Sequence, residues 1–169
     1  MPDVAIIDYQ MGNLHSVQAA CTHVGLSSII TSDPDIVMTA RAAILPGVGA
    51  FGASMEKLVA LKLDHSIRAF IDSGRPFVGI CLGLQLLFTE SEEFGSNKGL
   101  GIVDGVVRRF DPPADQTEKL PIPQIGWNRI RPSGNGWDKT LLKNNKDREF
   151  MYVVHSYYVV PDKDDVSVA

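Results

Sequence analysis

Phe77-Val78-Gly79-Ile80-Cys81-Leu82-Gly83-Leu84-Gln85 is the stretch on which the reading of this chain turns. Phe77 to Ile80 is apolar at every position except Gly79, and a short continuous apolar run predicts a central strand covered on both faces, as in a parallel sheet. Leu82 to Thr89 then continues as a helix. The cysteine falls at the junction in the form G-x-C-x-G, the pattern of a nucleophile elbow. On such a tight strand-to-helix turn the flanking residues must be glycine, because side chains there would collide with neighbouring backbone. The turn exposes the sulfur at the carboxyl edge of the sheet and sets it at a helix N-terminus, where the macrodipole favours the thiolate. The amide N–H of Leu82 points to where an oxyanion would form. An isolated cysteine in such a turn also reads as a buried structural residue; the paired glycines favour the nucleophile. Cys21 is the reverse case and reads as core, because it lies on the apolar stripe of the first predicted helix.

Working outward, Val4 to Asp8 reads as a strand, Gln10 to Asn13 as a turn, and Val17, Ala20, Cys21 and Val24 as a helix closed by Gly25. Ser28 to Thr31 and Ala43 to Leu45 are further strands. The second ends in Pro46-Gly47-Val48-Gly49-Ala50-Phe51-Gly52, a glycine-rich loop at a strand's carboxyl end, where α/β folds gather their sites. Its backbone either supplies a second oxyanion hydrogen bond or makes an ordinary β-to-α turn. A phosphate loop is disfavoured because no Lys-Ser/Thr pair follows. Helices over Ala53 to Leu61 and Asp64 to Ser73 complete a strand–helix alternation. From Gly101 onward, short β-rich runs (Ile102 to Phe110, Ile125 to Ile130, Met151 to Val160) predict a largely antiparallel second half. The fold class expected is α/β, with a mostly parallel central sheet, helices on both faces and a β-rich, partly antiparallel second half.

At 169 residues, and with no internal repeat or long linker, the chain reads as one domain, 1–169. The 16 Lys and Arg against 20 Asp and Glu leave a net charge of -4 without a basic cluster, which argues against nucleic acid as a partner. No apolar run approaches the roughly 18 residues of a spanning helix, and the N-terminus lacks the pattern of a secretory signal. A cytoplasmic location without membrane association is the expectation. Neither H-E-x-x-H nor paired C-x-x-C spacings occur, so no metal or cofactor is expected.

The G-I-C-L-G-x-Q elbow after P-G-V-G-x-F-G resembles the class I, triad-type glutamine amidotransferases. Asp8-Tyr9 with Gly12-Asn13-Leu14, then Gly126-Trp127-Asn128 and Val154-His155-Ser156-Tyr157, narrow the resemblance to the glutaminase subunits of imidazole glycerol phosphate synthases, over the whole chain. The resemblance implies a flavodoxin-like amidotransferase sheet and a Cys81 glutamyl thioester. It further implies an oxyanion hole from Leu82 and the Gly47-Val48-Gly49 backbone, and L-glutamine held by Gln85 and Glu93. Ammonia would pass to a (β/α)8-barrel cyclase subunit in a heterodimer serving histidine biosynthesis. Ser156 and Tyr157 match a strand beside the glutamine pocket, with sheet packing as the other reading. Asn13 and Trp127 match positions near the partner interface, with a core tryptophan as the other reading.

The family's base and its orienting carboxylate come as a His-Pro-Glu segment, and none of His15, His23, His65 and His155 is followed by Pro-Glu. The expectation is therefore a chain missing its C-terminal end, with little or no glutamine turnover by these residues alone, because losing one triad member costs several orders of magnitude in rate. His155 is a poor substitute, since the family places this histidine elsewhere. Two alternatives remain: a catalytically silent binding module on the same fold, and a pyridoxal phosphate synthase glutaminase, which Gly126-Trp127-Asn128 and the His155 strand disfavour.

Overall fold

Alternation along the first strand assigns the two faces of the central sheet. In the computed structural model of the protein, residues 1–111, 121–133, 136–138 and 140–167 are described. Strand β1 (Val4–Ile7) turns Val4 and Ile6 to one side, where they pack with Cys21, and Ala5 and Ile7 to the other, as the period of two requires. Strands β2 (Ser28–Thr31), β3 (Ala42–Gly47) and β4 (Phe77–Cys81) join it in an all-parallel sheet of order β2-β1-β3-β4. Helix α1 (Leu14–His23) covers the Val4 and Ile6 face. Helices α2 (Pro34–Thr39), α3 (Phe51–Ala60) and α4 (Leu63–Asp72) cover the other through Val37, Leu58, Ile67 and Phe70. The α/β class with helices on both faces is thus what the chain adopts.

Local chemistry sets several of these ends. Asn13 Oδ1 accepts the Ser16 N–H at 3.2 Å and starts α1, and Asp33 Oδ1 accepts the Asp35 N–H at 2.8 Å, with Pro34 in the first helical turn of α2. Arg75 lies 3.9 Å over the Phe70 ring and donates to the carbonyls of Met38 and Ala40 at 2.8 and 2.9 Å, tying the end of α2 to α4. None of the described helices is long and apolar enough to cross a membrane.

The second half forms strands β5 (Phe88–Ser91), β6 (Asn97–Lys98), β7 (Val103–Arg109), β8 (Gln124–Arg129), β9 (Phe150–His155) and β10 (Tyr157–Pro161). A second sheet runs β10-β7-β5-β6, antiparallel except between β5 and β7, and β8 with β9 makes a separate antiparallel ribbon.

Among the described residues β3 is the one strand paired with β4. Two expectations are corrected. The helix after Cys81 does not reach Thr89; α5 spans only Leu82–Gln85. The carbonyls of Leu86, Leu87, Phe88 and Thr89, which a longer helix would turn inward, instead accept amides from residues 99–103 at 2.8–3.0 Å, so tertiary pairing overrides local propensity. Finally, the run Met151 to Val160 is split at Ser156 into β9 and β10, which belong to different sheets.

Just beyond β1, Tyr9 is fully buried, and among the described residues neither its hydroxyl nor that of buried Ser54 completes a hydrogen bond. Burial pushes the phenol up from its ordinary 10.0 to about 12; Ser54 opposes the shift and Cys81 adds to it. Because the folded value lies above the unfolded one, this stabilising contribution is complete below about pH 10 and is lost as the pH rises through about 12. Urea titrations should therefore show the wild type losing about 2 to 3 kcal/mol more than Tyr9→Phe across that window. Parallel pH profiles for the two proteins would contradict the assignment.

Candidate active site

The ends of β3 and β4 meet with almost no side chain between them. Gly47 is the register partner of Cys81. A Cβ at Gly83 would run into the Leu45 carbonyl oxygen, one at Gly79 would lie 2.6 Å from Leu84 Cα, and one at Gly47 would lie 2.7 Å from Gly83 N and against the Tyr9 hydroxyl. Only glycine permits this approach. Cys81 itself has φ 54° and ψ -116°, a region that L side chains rarely adopt, and the turn leaves it exposed whereas Cys21 is buried. The macrodipole behind Cys81 comes from the single turn of α5, so it is weaker than a helix reaching Thr89 would supply.

The exposed thiol opens on a cavity of about 740 Å³, within the usual range for small-molecule sites. Val48, Gly49, Cys81, Leu82, Gln85 and Glu93 line it, and Ser156 and Tyr157 close it from the β9–β10 corner. Gly47 sits beneath the elbow, outside the lining. Gln85 Nε2 donates to the Tyr157 carbonyl at 3.3 Å, and His155 Nδ1 lies 2.9 Å from the same oxygen, which as an acceptor places the ring proton on that nitrogen. Glu93 does two things: it faces the cavity, and its Oε2 accepts the Phe51 N–H at 2.6 Å, capping α3, whose own N-cap residue Ala50 has no side-chain acceptor. That remote cap extends α3 two residues ahead of the sequence expectation. An exposed thiol that shares a cavity with the Val48-Gly49 loop is accessible for attack on an electrophilic carbon.

Asn13 and Trp127 lie outside this cavity. Asn13 is the exposed N-cap of α1. Trp127 is 66% exposed, which sets aside the core reading; its ring meets Tyr152 edge-on at 5.5 Å, and the neighbouring pair Ile125 and Val154 is exposed on the same face of the ribbon. Among the described residues no group of three or more His, Cys, Asp or Glu side chains is assembled to hold a metal ion.

The structure adds Arg109 to the cavity lining, a residue that sequence reasoning did not single out. The signal available was the Arg108-Arg109 pair in a predicted strand, where successive side chains face opposite ways. Arg108 turns outward and pairs with Glu92 at 3.5 Å.

The strain at Cys81 is measurable. Cys81→Gly should be more stable than Cys81→Ala by about 1 kcal/mol or more in urea unfolding, since only glycine adopts these dihedrals freely. Equal midpoints for the two variants would show an unstrained turn.

The sequence matches the class-I glutamine amidotransferase family over residues 5–169. It is 48% identical to the imidazole glycerol phosphate synthase subunit HisH of Syntrophotalea carbinolica, covering 98% of this chain and 80% of that protein. It is 42% identical to the HisH subunit of Geobacter metallireducens, covering 100% of this chain and 80% of that protein. The fold is shared with a solved glutamine amidotransferase at a TM-score of 0.64 and 15% identity, over 95% of this chain and 74% of the other. With a strained cysteine elbow seated on a glycine loop, and with relatives this close over nearly its whole length, the chain belongs to the class-I glutamine amidotransferase family.

Proposed function

We propose that the chain is the glutaminase subunit of an imidazole glycerol phosphate synthase, hydrolysing L-glutamine to glutamate and ammonia for a cyclase partner. The observation that carries this reading is the single cavity in which Cys81 on its elbow faces Gln85, Glu93 and the β9–β10 corner. The Cys81 sulfur attacks the side-chain amide carbon of glutamine, and the carbonyl oxygen takes up negative charge. Leu82 N–H and the Gly47-Val48-Gly49 backbone donate to it. Collapse breaks the C–N bond, the nitrogen leaves protonated as ammonia, and a glutamyl thioester remains. Water then adds to the thioester, releasing glutamate and restoring the thiol. Gln85 and Glu93, with Ser156 and Tyr157, hold the substrate. The proton on the attacking thiol must reach the leaving nitrogen through a base, and the family's His-Pro-Glu segment, which supplies it, does not occur within these 169 residues.

The partner is a (β/α)8-barrel cyclase subunit that uses the ammonia to make imidazole glycerol phosphate and aminoimidazole carboxamide ribotide, in the cytoplasm. The exposed face of the β8–β9 ribbon, with Ile125, Trp127, Tyr152 and Val154, supports docking, because contiguous exposed apolar surface with aromatic residues marks protein contacts. Asn13 belongs to the same contact. A silent binding module would use the same ribbon without the chemistry.

The two readings separate on one experiment. In the presence of the cyclase subunit, 6-diazo-5-oxo-L-norleucine, a glutamine-shaped electrophile, should alkylate Cys81, with glutamine competing, and Cys81→Ser should take up no label. If iodoacetamide labels Cys81 but the glutamine-shaped reagent leaves it untouched, the glutaminase reading fails and the docking module replaces it.

A further inference from the structure

Arg109 stands at the end of β7, directly opposite Tyr157 of β10 in the antiparallel register. Tyr157 is the residue whose carbonyl receives both Gln85 and His155, so Arg109 lies one strand away from the polar corner of the Cys81 cavity and lines that cavity itself. Among the described residues its neighbours do not neutralise it. Glu92 is paired with Arg108 on the opposite face of the strand, Glu93 has one oxygen engaged by the Phe51 amide, and among the described residues the Arg109 side chain has neither an ion pair nor a hydrogen bond. A guanidinium remains charged throughout the physiological pH range and presents a planar fork matched to a carboxylate.

Among the described residues the cavity thus carries one uncommitted cation and one carboxylate that is only partly engaged, together with a nucleophile. A free α-amino acid bears one carboxylate and one ammonium on the same carbon, and an amide side chain at the far end would reach the thiol. We infer that Arg109 is the specificity-determining cation of this site, pairing with the α-carboxylate of the amino-acid substrate while Glu93 faces its α-ammonium group. This inference rests on reading the cavity as the glutamine site and deepens it: the pocket selects a zwitterion and discriminates against amides that lack the free α-carboxylate. Glu93 is unsuited to test the idea by substitution, because its loss would also uncap α3.

The test uses the full chain and needs no turnover. Cys81 is exposed and Cys21 buried, so iodoacetamide labelling read by mass spectrometry reports Cys81, and bound ligand protects it. Two probes are compared: L-glutamine and L-glutaminamide, whose α-carboxylate is replaced by a neutral amide. In the wild type, half-protection by glutamine should require at least about tenfold less ligand than by glutaminamide, the usual scale of a charge-assisted contact. In Arg109→Gln the two probes should protect equally and weakly, whereas Arg109→Lys, which keeps the charge but not the fork, should retain part of the preference. An Arg109→Gln protein that still prefers glutamine by the wild-type factor would overturn the assignment and leave the glutaminase reading standing. A wild type that glutamine does not protect at all would overturn both.

Discussion

The close approach of the elbow backbone to strand β3 is the contact on which the rest of the site depends. Gly83 comes so near the Leu45 carbonyl that not even a methyl group would fit, and Gly47 meets Gly83 across the same gap. Because the two strand ends are held this tightly, the loop after β3 lies alongside the turn after β4, and Val48, Gly49 and Leu82 line one cavity with Cys81. The strain stored at Cys81 is tolerated because the surrounding sheet and glycines over-determine the turn.

A second layer of long-range bonds fixes the cavity's other walls. The carbonyls of residues 86–89 are taken by amides from residues 99–103, which stops α5 after one turn and starts β5 in the second sheet. Gln85 then reaches across to Tyr157, 72 residues further along the chain. Glu93 reaches back to the start of α3, 42 residues away, so the glycine loop leading into α3 is braced by the wall opposite. The Gln85 and Glu93 bonds link the elements around the parallel sheet to the β-rich half, and both residues line the cavity between them. The site is therefore a property of the junction between the two sheets.

The division of labour among the aromatic residues follows from burial. Tyr9 and Phe51 are fully enclosed in the core beneath the site, whereas Trp127 and Tyr152 stand in solvent on a two-stranded ribbon. A two-stranded ribbon is marginal by itself, and an exposed apolar face on such an element is consistent with its being completed by a partner.

What the sequence by itself determined was everything governed by neighbours a few positions apart. The apolar runs marked β1 to β4, and Gly79, Cys81 and Gly83 spelled out the elbow, because a tight turn excludes side chains locally and leaves a legible pattern; helix α2, by contrast, lies where the Asp/Pro pattern reads as a connection. Of the residues named on the family motifs, Val48, Gly49, Cys81, Leu82, Gln85, Glu93, Ser156 and Tyr157 line one cavity. What only the tertiary structure decided was everything that depends on pairing across the chain. The short α5, the division of the β9–β10 run between two sheets, the Glu93 cap on α3 and the placement of Arg109 all rest on hydrogen bonds or packing between residues far apart in sequence. Local propensity is worth only tenths of a kcal/mol per residue, so where a backbone carbonyl can satisfy itself against a distant strand, the distant strand prevails.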